Sequence, residues 1–205
     1  MTGKTPHTCM FDLMDTLVWS PNLMDLFAKE NAELLARFKQ DRKKYQRETA
    51  QVADLYLADG RVEIRLYDEV MANLSKLKER HRVNIAVLSN GANATIEKIL
   101  EQTGLKTVVD LALSLEQFPG LDKSDPGLYI AARERLTEQG LIVNTYTDDK
   151  ADYCAASAQS KAIPRTYHID RKGKTPQTDN GIKVIGSLDE FEHEEAMRFL
   201  SDIIG

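Results

Sequence analysis

Six short apolar runs recur along the chain and alternate with longer stretches of helical period. The runs lie at 8–13, 83–88, 108–115, 141–146, 165–169 and, shortest, 183–185. Their length and β-branched content predict buried strands rather than buried helices. Between them, residues 68–79 place Val70, Met71, Leu74 and Leu77 on one helical face. Segments 94–103, 125–137, 151–162 and 188–204 carry the same spacing. Strands that alternate with helices predict an α/β fold: a Rossmann-like, doubly wound, mostly parallel sheet covered on both sides.

One segment breaks the rhythm. From about residue 21 to 60 the chain is helical and charged, with apolar stripes at Leu23, Leu26, Phe27 and at Leu34, Leu35, Phe38. It predicts a small helical cap inserted after the first strand, spanning 19–64, with 1–18 and 65–205 forming the core. The length of 205 residues suits one domain carrying such an insert. With 42% hydrophobic and 29% charged residues the core needs no covalent staple.

Charge narrows the choice of partner. The net charge is −5, and the densest basic run, 37–47, is interrupted by Gln40, Asp41 and Gln46. A nucleic-acid partner would want a continuous basic stripe, so none is expected. Cys9 and Cys154 sit in apolar or Ala-rich surroundings and read as small core residues, without metal-type spacing. The first seven residues are polar, and no stretch approaches the ~18 apolar residues of a membrane span. A cytoplasmic protein without a membrane partner is expected, and a homodimer stays open.

Ligands of an open parallel sheet bind at the carboxyl ends of its strands. The first run closes on Asp12-Leu13-Met14-Asp15-Thr16, the second on Ser89-Asn90-Gly91, and the fourth on Thr147-Asp148-Asp149, with Asp152 one helical turn later. Lys123 precedes a helix. Each has an ordinary reading alone: aspartates cap helices, Ser-Asn-Gly makes turns, and a lysine is a surface charge. Together they pose a problem of charge. Converging carboxylates raise one another's pKa, and a hard divalent cation such as Mg²⁺ offsets this. A carboxylate nucleophile, a cation, Lys123 and the Ser89 hydroxyl are the parts that hold and attack a phosphoryl group.

This order of parts resembles the haloacid dehalogenase superfamily, whose members are mostly phosphatases, over nearly the whole core from Cys9 to Leu188. Its first motif, an apolar strand and then Asp-x-Asp-x-Thr, stands here as Phe11-Asp12-Leu13-Met14-Asp15-Thr16-Leu17. Residues 83–89 match the second motif, Lys123 the third, and Thr147-Asp148-Asp149-Lys150-Ala151-Asp152 the fourth, commonly Gly-Asp-x-x-x-Asp. The resemblance implies that Asp12 is the nucleophile, with Lys123 beside it as a second catalytic group. Thr16, Ser89, Asn90 and Lys123 would bind substrate, and Asp12, the Met14 carbonyl, Asp148 and Asp152 would hold Mg²⁺. The insert resembles the family's first type of cap.

Two positions depart from the pattern. Met14 replaces the second aspartate, which in the family's phosphatases is the general acid and later the base; its loss costs about 10²–10⁴ in rate for a poor leaving group. Asp15 falls at the usual glycine position, and Thr147 replaces the glycine of the fourth motif. The family's dehalogenases also carry a bulky residue at the Met14 position and use no metal. Its phosphonate-cleaving members use a cap lysine, for which Lys29, Lys39, Lys43 and Lys44 are present. His7, His81, His168 and His193 have no ligand spacing, and no Gly-x-Ser-x-Gly elbow or phosphate-binding glycine loop occurs. The expected activity is Mg²⁺-dependent hydrolysis of a small phosphorylated metabolite through an aspartyl phosphate, with good leaving groups preferred. The alternatives are a non-catalytic phosphate- or metal-binding protein and a metal-independent dehalogenase-type hydrolase.

Overall fold

A computed structural model describes residues 7–173, 178–179 and 181–204; the polar start at 1–6 lies outside them. The elements run β1 (His7–Phe11), β2 (Val18–Trp19), α1 (Leu23–Glu30), α2 (Ala32–Gln40), α3 (Arg42–Ala58), β3 (Arg65–Leu66), α4 (Val70–His81), β4 (Asn84–Ser89), α5 (Asn93–Thr103) and β5 (Leu111–Ser114). There follow α6 (Pro126–Glu138), β6 (Ile142–Asp148), α7 (Ala151–Ser160), β7 (Arg165–Ile169), β8 (Thr178–Asp179), β9 (Ile182–Ile185) and α8 (Leu188–Ile204).

The main sheet has the order β5-β4-β1-β6-β7-β9-β8. Its six longer strands pair in parallel, and β8 adds a short antiparallel edge to β9. The chain leaves β1 towards β4 and β5 on one side and later returns to β6 on the other. The order therefore reverses at β1, the kind of switch point where ligands bind in open α/β sheets. Alternation of side chains along β1 sends Cys9 and Phe11 to one hydrophobic core and Met10 to the other. Ile85 and Val87 of β4 join the first, and Ala86 and Leu88 the second. Phe191 of α8 closes edge-on against Phe11 at 5.2 Å and against Tyr167 at 4.9 Å. Cys9 and Cys154 are both buried and free.

Two details differ from the pattern-based reading. The run at 108–115 yields a strand only at Leu111–Ser114, flanked by 3₁₀ turns at Leu105–Thr107 and Leu115–Gln117. Asp110 is the reason: its carboxylate accepts the Ile85 N–H at 2.8 Å, so regular pairing begins after it. The ribbon of β2 and β3, pairing Val18 with Leu66 and Trp19 with Arg65, is too short to show as an apolar run. In the chain β2 precedes the helices α1, α2 and α3, and β3 follows them. Phe27, Leu34, Leu35, Tyr56 and Leu57 of these helices are buried in the same cluster as Phe11 of the sheet. No described helix is long and apolar enough to cross a membrane.

Candidate active site

The site grows from the end of β1. The Asp12 N–H donates to the Thr147 carbonyl at 2.8 Å, which extends the β1–β6 pairing by one residue and fixes the backbone of both loops. The next turn closes through the Asp15 N–H on the Val18 carbonyl at 2.6 Å. Asp15 has φ +63°, the left-handed region that glycine enters freely and aspartate tolerates. Its side chain is turned to solvent, with Lys150 Nζ at 3.6 Å.

Lys123 is fully buried, and its ammonium donates to both Asp12 and Asp148, the latter at 3.1 Å. The loop carrying it is held on both sides. Asp125 caps α6 by accepting the Gly127 N–H at 2.8 Å, and Tyr129 donates its hydroxyl to the Lys123 carbonyl at 2.8 Å. Asp148 also accepts from the Tyr146 hydroxyl and, at 2.8 Å, from the Lys150 N–H. Asp149 pairs with the Lys150 ammonium. Carboxylate oxygens of Asp12, Asp148 and Asp149 all lie within 4.8 Å of one another.

Burial, aided by Asp148 and Asp149 and opposed by Lys123, pushes the Asp12 carboxyl up to about 8. Burial likewise raises Asp149 to about 6, with Lys150 opposing and Asp148 and Asp15 adding to it. For Lys123 burial works against the charge, but Asp12 and Asp148 outweigh it and hold the ammonium above the usual lysine range. Three carboxylates thus face two ammoniums, and two of them, Asp12 and Asp149, hold protons more tightly than carboxylates in water. Hard oxygen donors in charge excess fit a divalent cation of the Mg²⁺ type.

The structure brings Asp12, Ser89, Asn90, Met14, Asp149 and Lys150 to one cavity of about 230 Å³. Ser89 is buried and its Oγ accepts the Gly91 N–H at 3.4 Å; Asn90 Oδ1 is buried with no hydrogen-bond partner. Thr16 stands apart: its Oγ1 is buried without a partner among the described residues, and it is not among the residues lining the cavity. Asp152 also stands apart. It lies in the first turn of α7, is half exposed, and pairs with Arg42 of α3 rather than meeting Asp12. The third carboxylate comes instead from Asp149, in the loop before the helix. Of the lysines on α1, α2 and α3, Lys43 and Lys44 line a second cavity that Asp12 does not reach, and Lys29 and Lys39 line neither. Lys150 is the lysine that shares a cavity with Asp12.

Sequence patterns had placed Asp149 on the same acidic rim without assigning it as a metal ligand, and had left Lys150, Arg42 and Gln46 outside the site. Gln46 lines the cavity, accepts from the Tyr153 hydroxyl at 2.6 Å and keeps a buried amide nitrogen without a partner.

The model of the haloacid dehalogenase-like hydrolases matches residues 7–144. Among solved structures, a haloacid-dehalogenase-type phosphatase from Thermococcus onnurineus is similar at 14% identity and TM-score 0.67, over 92% of this chain and 97% of that one. The L-2-haloacid dehalogenase of Xanthobacter autotrophicus, solved with chloropropionic acid covalently bound, is similar at 14% identity and TM-score 0.66, over 92% and 98%. A dehalogenase solved with an intermediate complex reaches 20% identity and TM-score 0.66, over 92% and 96%. At these identities the likeness is one of fold. No curated protein sequence matches significantly.

Proposed function

The chain belongs to the haloacid dehalogenase-like hydrolase family, and we propose that within it the chain is a Mg²⁺-dependent phosphatase acting on a small organic phosphate. The observation that carries this reading is the excess of carboxylate at the sheet edge: Asp12, Asp148 and Asp149 gathered within 4.8 Å beside a buried lysine. When bound there, with the Met14 carbonyl as a further oxygen donor, Mg²⁺ supplies charge that offsets the phosphate. The rest falls to side chains of this chain. Lys123 orients the Asp12 carboxylate, whose free oxygen attacks phosphorus and forms an aspartyl phosphate. Ser89 and Asn90 hold phosphate oxygens. Helices α1 to α3, the cap over residues 19–64, cover the cavity and limit water. Water then attacks the aspartyl phosphate and releases phosphate. Met14 offers no proton to the leaving oxygen, so good leaving groups react best. The partner in this reading is the substrate, in the cytoplasm, with a homodimer left open.

A second reading has its own observation. Met14 lines the cavity, where an acid would serve a phosphatase, and an apolar wall surrounds it. A metal-independent dehalogenase needs no proton donor for its halide. Hydrolysis of 4-nitrophenyl phosphate with and without chelator separates the two. Turnover that chelator abolishes is expected. Absence of metal-dependent turnover, together with halide release from 2-chloropropionate, would replace the phosphatase reading.

A further inference from the structure

The cavity above Asp12 is polar on its floor and mostly apolar on its walls. Leu23 and Phe27 of α1, Leu35 of α2, Leu57 of α3 and Ile96 and Ile99 of α5 line it. A polyol placed here would bury hydroxyls against carbon, and each unpaired hydroxyl weakens binding. The wall's other polar groups are already engaged: Arg42 with Asp152, Thr49 with the Tyr45 carbonyl, Thr95 with Asp54 and Tyr153 with Gln46. That leaves the Gln46 amide nitrogen and Asn90 Oδ1 as its buried, unpartnered polar atoms among the described residues. At about 230 Å³ the space is below the range of drug-sized pockets and suits a body of one ring.

The acids that line the cavity say more about the leaving group. Asp12 is tied to Lys123, and Asp149 to Lys150. Asp15 faces Lys150 at 3.6 Å, and Asp54 accepts the Ala92 N–H at 3.1 Å. Each lining carboxyl among the described residues thus already faces a cation or an N–H group, and Met14 stands where the motif's second aspartate would protonate a departing oxygen. The leaving group must therefore be stable as an anion, which favours a phenol or enol over an alcohol.

On the phosphatase reading of this site, we infer that the substrate is a phosphate ester of an acidic hydroxyl, phenolic or enolic, carried on an apolar body of about one ring. In the step so defined, a bond forms between an Asp12 oxygen and phosphorus. The bond from phosphorus to the aryl or enol oxygen breaks, and that oxygen leaves with the electron pair and takes a proton from solvent. Water then cleaves the acyl phosphate, restoring the carboxylate and releasing phosphate. No electron changes hands.

The full chain with Mg²⁺ is assayed on phenyl phosphate, glucose 6-phosphate and acetyl phosphate, whose leaving group is acidic but nearly free of apolar surface. Phenyl phosphate should exceed glucose 6-phosphate in kcat/KM by about 10²-fold or more. Ala53→Phe, which fills the cavity from α3, should lower the ratio of phenyl to acetyl phosphate at least about tenfold. Ala50→Leu repeats this test should the larger substitution unfold the chain. Equal or better turnover of the hexose phosphate, or an unchanged ratio in the filled variants, overturns the inference and leaves the phosphatase reading standing. Calorimetry with phenylphosphonate and methylphosphonate supplies the complementary arm. If no ester is hydrolysed, the phosphatase reading fails. An apolar occupant then stands only if phenylphosphonate binds about tenfold or more tightly than methylphosphonate, and equal affinities end it.

Discussion

Two buried ionic clusters lie at opposite edges of the same sheet, and they differ in balance. At the amino edge, Glu195 of α8 is fully buried and takes a forked pair from Arg165, with Nε at 3.2 Å and Nη2 at 2.7 Å. The Tyr167 hydroxyl donates to it at 2.5 Å, and Arg198 lies at 3.8 Å. One carboxylate is surrounded by two cations and a phenol. At the carboxyl edge, Asp12, Asp148 and Asp149 share Lys123 and Lys150, and the group opens on a cavity. The first cluster is complete as it stands, and the second is not. Burial of charge alone therefore marks no function; burial with an excess of one sign, in reach of a ligand, does.

Removing the central acid from each cluster separates the two roles. Asp12→Asn should lower kcat/KM at least about 10³-fold on any ester the chain hydrolyses, since it removes the proposed nucleophile. Its thermal midpoint should hold or rise, because the substitution takes away a carboxyl whose charged form the site disfavours. Glu195→Ala should do the reverse. It strands Arg165 and costs about 3–5 kcal/mol in chemical denaturation, while kcat/KM of the folded enzyme stays within about threefold of the parent. A large loss of activity in folded Glu195→Ala, or severe destabilisation by Asp12→Asn, would break the distinction.

Titration sharpens it. Asp12 near 8 and Asp149 near 6 both lie above the ordinary carboxylate value of 3.8. The folded state then binds protons more tightly than the unfolded one. Their contribution is fully present below about pH 4 and is lost as pH rises through 6 and then 8. The metal-free chain should therefore lose stability between pH 5 and pH 8, on the order of 5 kcal/mol from about 1.4 kcal/mol per unit, most of it from Asp12. Asp12→Asn should remove most of the slope, and Mg²⁺ should flatten it. A slope of opposite sign in denaturation midpoints would show that the acid excess does not exist in solution.

How much of this was written in the sequence depends on how local the cause is. Asp12, Ser89 and Asp148 each close or follow an apolar run that becomes a buried parallel strand, so their convergence follows from the alternation of strands and helices. Lys123 was legible for a similar reason, before a helix with Pro126 at its start. The choice between Asp149 and Asp152 was not. Both follow the same strand, and the difference rests on where α7 begins and on Arg42, which is 110 positions away in sequence. The stripes of α1 and α2 read as packing, and Phe27 and Leu35 are indeed buried. Periodicity says which side faces inward but not how much space remains there, so the cavity had no sequence signal.

Asp152 supplies the smallest effect and the finest test of the contrast. Its pairing with Arg42 joins α3 to α7, yet the two side chains are 51% and 32% exposed. Solvent screens such a pair, and exposed ion pairs contribute about 0.2–1 kcal/mol. The surroundings share the load: Arg42 lies 4.9 Å over the Tyr153 ring, and Tyr153 bonds Gln46 of the same helix. Asp152→Asn should therefore change stability by less than about 1 kcal/mol. Its Mg²⁺ affinity should stay within about threefold of the parent, while Asp149→Asn should lose about tenfold or more, as loss of an oxygen ligand does. Titration calorimetry of the two variants decides it. Should Asp152→Asn lose as much affinity as Asp149→Asn, then Asp152 must leave Arg42 to reach the cation. The ion pair would then be a contact that cation binding breaks, and the carboxyl-edge cluster would extend to the helices above it.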